Sequence, residues 1–123
     1  MIVVTAYHFY FANADIAKQG LIVVRNLTAD DDNRVLFRPH LRTVMDCMTH
    51  HLHTPHNPNR NIALQGSVAM YNLSIDYENS SIMAEIGVRE MLQSMVMDNP
   101  LAGDDDSRKW ASKTIHFLNN PDA

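Results

Sequence analysis

Residues 13–28 read NADIAKQGLIVVRNLT, and residues 59–74 read NRNIALQGSVAMYNLS. The second stretch begins 46 positions after the first, with identities at Asn13/Asn59, Ile16/Ile62, Ala17/Ala63, Gln19/Gln65, Gly20/Gly66, Asn26/Asn72 and Leu27/Leu73, and with Thr28 matched by Ser74. A fixed period between about 20 and 50 residues is the signature of stacked repeats, so this pair decides the fold expected here. Each copy carries a stripe at i, i+4, i+7 and i+11: Ile16, Gly20, Val23 and Leu27 in one, Ile62, Gly66, Ala69 and Leu73 in the other. That spacing is helical. A glycine inside a helix costs about 1 kcal/mol relative to alanine. Its recurrence at one place predicts a neighbouring helix too close for a side chain.

Working outward, Asn13 or Asp15 can cap the first long helix. The run 29–33 (ADDDN) reads as linker and cap. A short helix is expected over 34–40, broken at Pro39, and a longer one over 41–52. The second copy follows suit with IDYEN at 75–79, a short helix over 80–86, a break at Gly87 and a helix over 88–97. RPHLRTVMDCM (38–48) aligns with EIGVREMLQSM (85–95) one residue out of the main register. Connections at 49–59 and 98–106 are rich in Pro, Asn, Asp and His, which punctuate helices. A last helix over 107–119 reads as a third copy, with Ser112 in place of Gly20 and Gly66, Ile115 in place of Val23 and Ala69, and its terminal Asn119 shifted by one. Residues 2–11 are expected to be helical in this context, although Ile2, Val3 and Val4 alone would favour a strand.

Composition narrows the function classes. The 123 residues are 46% apolar, enough for one globular domain with a modest core. A net charge of −4 argues against general nucleic-acid binding. Cys47 is the single cysteine, so no internal disulfide is available, and a reducing compartment, cytoplasmic or nuclear, is expected. No apolar run is long enough for a membrane span, and the opening MIVVTAYHFYFA lacks the basic leading region of a signal peptide.

The stretch NIALQGSVAMYNLSIDYENSSIMAEIGVREMLQSM resembles an armadillo repeat: a long helix ending in A-x-x-N-L-S, an acidic turn with Asn, a short helix ending at Gly, and an amphipathic helix. The resemblance covers 13–97 well and 107–120 weakly. It implies an all-α fold, a short right-handed α-solenoid of about two full repeats with partial ends. The approximate units are 1–28, 29–74 and 75–120 of one domain. VRNL and NRVLFRPHLRTVMDCM, followed by NPNRNIALQGSVAMYNLSI, also look like the armadillo-like PUL domain. That narrower likeness, from which NPNRNIALQGS departs at several positions, would imply an adaptor for the AAA unfoldase of the ubiquitin system.

In stacked units the long helices line a groove, and each repeat touches only its neighbours. Beside the glycine stripe lie Gln19, Ile22 and Asn26, repeated as Gln65, Val68 and Asn72. These six are the expected partner-binding residues. In peptide-binding armadillo proteins the Asn at this place holds the peptide backbone, and Asn26 and Asn72 match it. Ile22 and Val68 stand where nuclear-import receptors place Trp, so cation–π capture of a lysine-rich signal is not available from them. The expected function is non-catalytic protein–protein recognition of a peptide or protein segment, without cofactor, nucleic acid or membrane; a second copy could pair with the exposed solenoid ends.

Other chemistry weighs less. His50, His51, His53 and His56 fall within seven residues and could bind a transition metal, which makes a metal-binding protein the rival class. Their spacing matches no structural zinc pattern, and a solvated loop is the plainer reading. The Asp runs at 30–32 and 104–106 lack the Gly and distal Glu of a calcium loop and read as helix-capping turns. Cys47 with His50 and His51 is the one nucleophile–base pair worth naming. Because Cys47 sits between Met45 and Met48 on an apolar stripe, a buried inert thiol is expected.

Overall fold

The computed structural model describes residues 13–52, 60–98 and 105–119. Among them stand seven α-helices and no strand: α1 (Ala14–Leu27), α2 (Asp31–Leu36), α3 (Leu41–Leu52), α4 (Arg60–Ser74), α5 (Tyr77–Ile86), α6 (Val88–Asp98) and α7 (Asp105–Asn119), with a 3-10 turn over Arg38–His40. The all-α class is therefore as expected. Residues 2–11, His53 and His56 lie outside the described residues.

Local chemistry sets the helix ends. The side chain of Asn13 accepts hydrogen bonds from the amides of Asp15 and Ile16 at 2.9 and 3.2 Å, starting α1. Asp30 starts α2 by accepting from the Asp32 amide at 3.0 Å, and Asp76 starts α5 by accepting from the Asn79 amide at 2.9 Å. These two caps begin their helices three residues ahead of the expected 34 and 80, because a capping carboxylate satisfies first-turn amides that nothing else would. Gly87 closes α5 at φ 101°, a left-handed conformation that a Cβ would penalise.

The three long helices form one layer. α4 is its middle member, packed against α1 on one flank and α7 on the other, while α3 and α6 pack behind. Position 66 faces α3: a Cβ built on Gly66 would lie 2.7–2.8 Å from the Cγ, Sδ and Cε atoms of Met48. The glycine therefore admits Met48, itself fully buried. One turn face further round, the Ser67 hydroxyl meets the Met95 sulfur of α6 at 3.9 Å. Ile62, Gly66, Ala69 and Leu73 are buried on α4, as the stripe predicted, and so are Ala63, Ser67, Met70 and Ser74.

On α1 the expectation needs correcting. Ile16 and Leu27 are 40% and 38% exposed, Gly20 and Val23 are half-buried, and the buried set is Ala17, Leu21, Val24 and Thr28. These match the second buried stripe of α4, 46 residues on. α1 has α4 on one flank only, and no described element takes on its other side the place that α3 takes beside Gly66. On α7 the buried set is Ser107, Ala111, Thr114 and Leu118, which repeats Ile62, Gly66, Ala69 and Leu73 at a spacing of 45. Ser112, assigned to the glycine position from sequence, is exposed, and Ala111 is the small buried residue instead.

A chain of polar contacts ties the helix ends together. Arg34 donates from Nε to the Thr28 carbonyl at 2.7 Å and from Nη2 to that of Ala29 at 3.2 Å, and it pairs with Asp31. A cation at these terminal carbonyls is favourable. Asn79 then donates to the Arg34 carbonyl at 2.9 Å, and Arg38 donates to Asn79 at 3.0 Å and to Asp76 at 2.8 Å. Partial burial raises the pKa of Asp76, but the Asn79 amide, the Arg38 guanidinium and the Glu78 amide together outweigh it and hold the carboxyl below its ordinary value.

Two outcomes follow from this packing. Gly66→Ala gains about 1 kcal/mol of helix propensity but forces Met48 to repack in a closed core, at about 1–3 kcal/mol. Chemical denaturation should show net destabilisation. Combined with Met48→Ala, the loss should be smaller than the sum of the two single losses, and strict additivity would contradict the contact. For Asp76, a depressed folded pKa means stability present above the unfolded pKa and lost as pH falls through the folded value. Asp76→Asn keeps a capping side chain but removes the charge. It should cost about 1 kcal/mol at pH 7, and the difference from wild type should shrink in melts as the pH falls below the ordinary aspartate value of about 3.9 and through the lower folded one.

Candidate partner-binding face

The seams between long helices use the same positions twice. At the α1–α4 seam, Arg25 donates from Nη1 to Gln65 Oε1 at 2.8 Å, and Asn72 Nδ2 donates to the Arg25 carbonyl at 3.1 Å. At the α4–α7 seam, Tyr71 takes the place of Arg25, and its ring lies 5.0 Å from that of Trp110 and 5.7 Å from that of Phe117. Trp110 and Phe117 follow Gln65 and Asn72 at the spacing of 45 already set by the buried stripes. One seam is a polar clamp and the other an aromatic one. In both, the residue gripped comes from the C-terminal half of the earlier helix.

The six residues singled out from sequence therefore divide. Gln65 and Asn72 are half-buried and engaged with Arg25 across the α1–α4 seam. Their counterparts Gln19 and Asn26 are exposed, on the flank of α1 turned away from α4. Ile22 is half-buried and Val68 is 6% exposed; Val68 lies two residues, about 200° round the helix, from the glycine that meets α3. Ile22 and Val68 thus point away from the layer formed by α3 and α6. At the established spacings Lys113 of α7 stands at the same place as Val68, and Arg25, Tyr71 and His116 form the adjacent row.

Between α4 and α7 this face holds a groove of about 440 Å³ lined by Tyr71, Ser112, Lys113, His116 and Phe117. The Lys113 ammonium lies 4.8 Å from the centre of the Trp110 ring and 6.0 Å from that of Tyr71, and the Lys109 ammonium lies 5.7 Å from Trp110. Each such contact favours one placement of an otherwise mobile cation by about 0.5–1 kcal/mol. Sequence inspection passed over this cluster because its members sit at i, i+3 and i+7 on α7 and one full unit away on α4. The signal present was Tyr71 at the place of Arg25, which places an aromatic ring in a seam.

The remaining candidates are placed as follows. Cys47 is fully buried in the core beside Met48, as its apolar stripe predicted. His50 is exposed and His51 is buried, their rings 4.9 Å apart. Among the described residues no group of three His, Cys, Asp or Glu side chains could hold a metal ion. None of the described helices is long and apolar enough to cross a membrane.

Because Asn72 bridges two helices and Asn26 makes no such bond among the described residues, equal substitutions should have unequal costs. Asn72→Ala should lower unfolding free energy by about 1 kcal/mol, whereas Asn26→Ala should stay within about 0.5 kcal/mol of wild type. Similar losses for both in urea denaturation would show that the seam bond carries no stability. Comparisons with protein-family models, with curated proteins and with solved structures returned no match.

Proposed function

We propose that this chain is a non-catalytic protein-recognition scaffold, a short α-solenoid of armadillo type that holds a peptide or protein segment along α1, α4 and α7. The observation that carries the reading is the equivalence of the two seams, Arg25 against Gln65 and Asn72, then Tyr71 against Trp110 and Phe117. Long helices joined at equivalent positions present equivalent residues on their open side, and an extended segment can meet such rows one unit at a time. The resemblance of 13–97 to armadillo repeats supports the same reading. On this account Ile22 supplies apolar contact over a buried Val68, Gln19 and Asn26 an exposed polar rim, and Gln65 and Asn72 hold the seam under the bound segment.

The test is comparative affinity capture from a native extract. Wild type should retain a stoichiometric partner that Ile22→Glu and the Gln19→Ala/Asn26→Ala double variant lose, all with unchanged helicity by circular dichroism. A partner retained equally by every variant would place recognition elsewhere and sink the reading.

A further inference from the structure

We infer that the segment held on this face is acidic, with carboxylates meeting Lys109 and Lys113 and an apolar side chain lying in the groove lined by Tyr71, His116 and Phe117. The inference rests on the groove reading above and adds the chemistry of the partner. In a chain of net charge −4, Arg108, Lys109 and Lys113 bring three of its ten Lys and Arg residues together within six positions. All three are exposed, as are Ser112 and His116, and α7 carries no acidic residue after Asp106. Positions 109, 113 and 116 lie on one helix face.

The cations are also positioned. Contact with Trp110 and Tyr71 orders the Lys113 ammonium beside an apolar wall. A carboxylate arriving there meets a charge already oriented, so less side-chain freedom is lost in forming the pair than at an unrestrained surface lysine. The groove beside it is lined by two aromatic rings, Tyr71 and Phe117. A surface that offers fixed cations with an aromatic slot fits alternating acidic and apolar side chains. A nucleic acid would meet three clustered cations on a molecule of net charge −4, whereas its affinity grows with the number of phosphates neutralised.

Trp110 is the sole tryptophan and stands inside the proposed contact, so its emission reports occupancy without a label. The probes are a twelve-residue peptide of Glu-Glu-Phe-Leu units, its counterparts with Gln or with Lys for every Glu, and a single-stranded oligodeoxythymidine, each titrated into the full chain at low salt. The Glu peptide should shift the emission saturably and bind at least tenfold tighter than the Gln peptide. The Lys109→Gln/Lys113→Gln variant, followed by calorimetry because its Trp110 environment is altered, should lose about tenfold in affinity for the Glu peptide. Equal binding of the Glu, Gln and Lys peptides, undiminished binding to the variant, tighter binding of the oligonucleotide, or no binding of any peptide would each overturn the inference. Failure of the groove reading itself shows separately, as a natural partner still captured by Ile22→Glu.

Discussion

The middle helix, α4, has to be buried on several sides at once, and the rest of the structure depends on how it manages this. A helix buried on several sides needs apolar or small residues on each of them. Between Ile62 and Ser74, α4 places Ala63, Gly66, Ser67 and Ala69 on its inner faces, with Met70 and Leu73 filling the gaps. The small residues let neighbours approach closely. At Gly66 the approach is so close that three atoms of Met48 occupy the space of a side chain. Met48 suits that place because a long unbranched side chain adapts its path to an irregular gap. The core continues through Met45, Met83, Met91 and Met95, so adaptable side chains recur wherever the short helices meet the layer.

Two seams flank α4, and they differ in chemistry. The polar clamp on Arg25 joins α1 to α4 through bonds that leave the Arg25 charge close to the open side. The aromatic clamp on Tyr71 joins α4 to α7 by ring contacts and leaves a slot beside it. The amides of Gln65 and Asn72 thus act chiefly between helices, and the open side is furnished by the exposed Lys113 and His116 and the half-buried Ile22, Arg25 and Tyr71, while Val68 is buried. Cations therefore gather on a face of an otherwise acidic chain, with aromatic rings setting the direction of one of them.

Behind and below this layer, the polar chain from Thr28 through Arg34, Asn79 and Arg38 to Asp76 holds the helix ends. It joins the turn after α1 to the turn after α4, which keeps the two long helices in register. Arg34 reaches back to the Thr28 carbonyl, and Ser80 reaches back to the Ser74 carbonyl from the equivalent place. An arginine and a serine thus do one task, because the second turn is tight enough for a short side chain to cross it. Charge is concentrated where backbone groups would otherwise lack partners.

What was legible in the sequence was governed by near neighbours along the chain. Asn13 as a start, Gly87 as a stop and the bounds of α3 follow from side chains acting within a few residues of themselves, and so does the spacing that pairs α1 with α4, whereas the early starts that Asp30 and Asp76 give to α2 and α5 went unread. The tertiary structure alone decided which stripe of each helix is covered. Identical residues at Ile16 and Ile62 or Leu27 and Leu73 have different surroundings, since α4 has neighbours on both flanks and α1 is covered by described elements on one. Burial likewise put α7 one residue earlier than sequence matching did, at Ala111 in place of Ser112. The aromatic and basic cluster exists only because Tyr71 and Trp110 are brought together across 39 positions. Burial is a property of what lies opposite a residue, and the opposite side is supplied by distant chain.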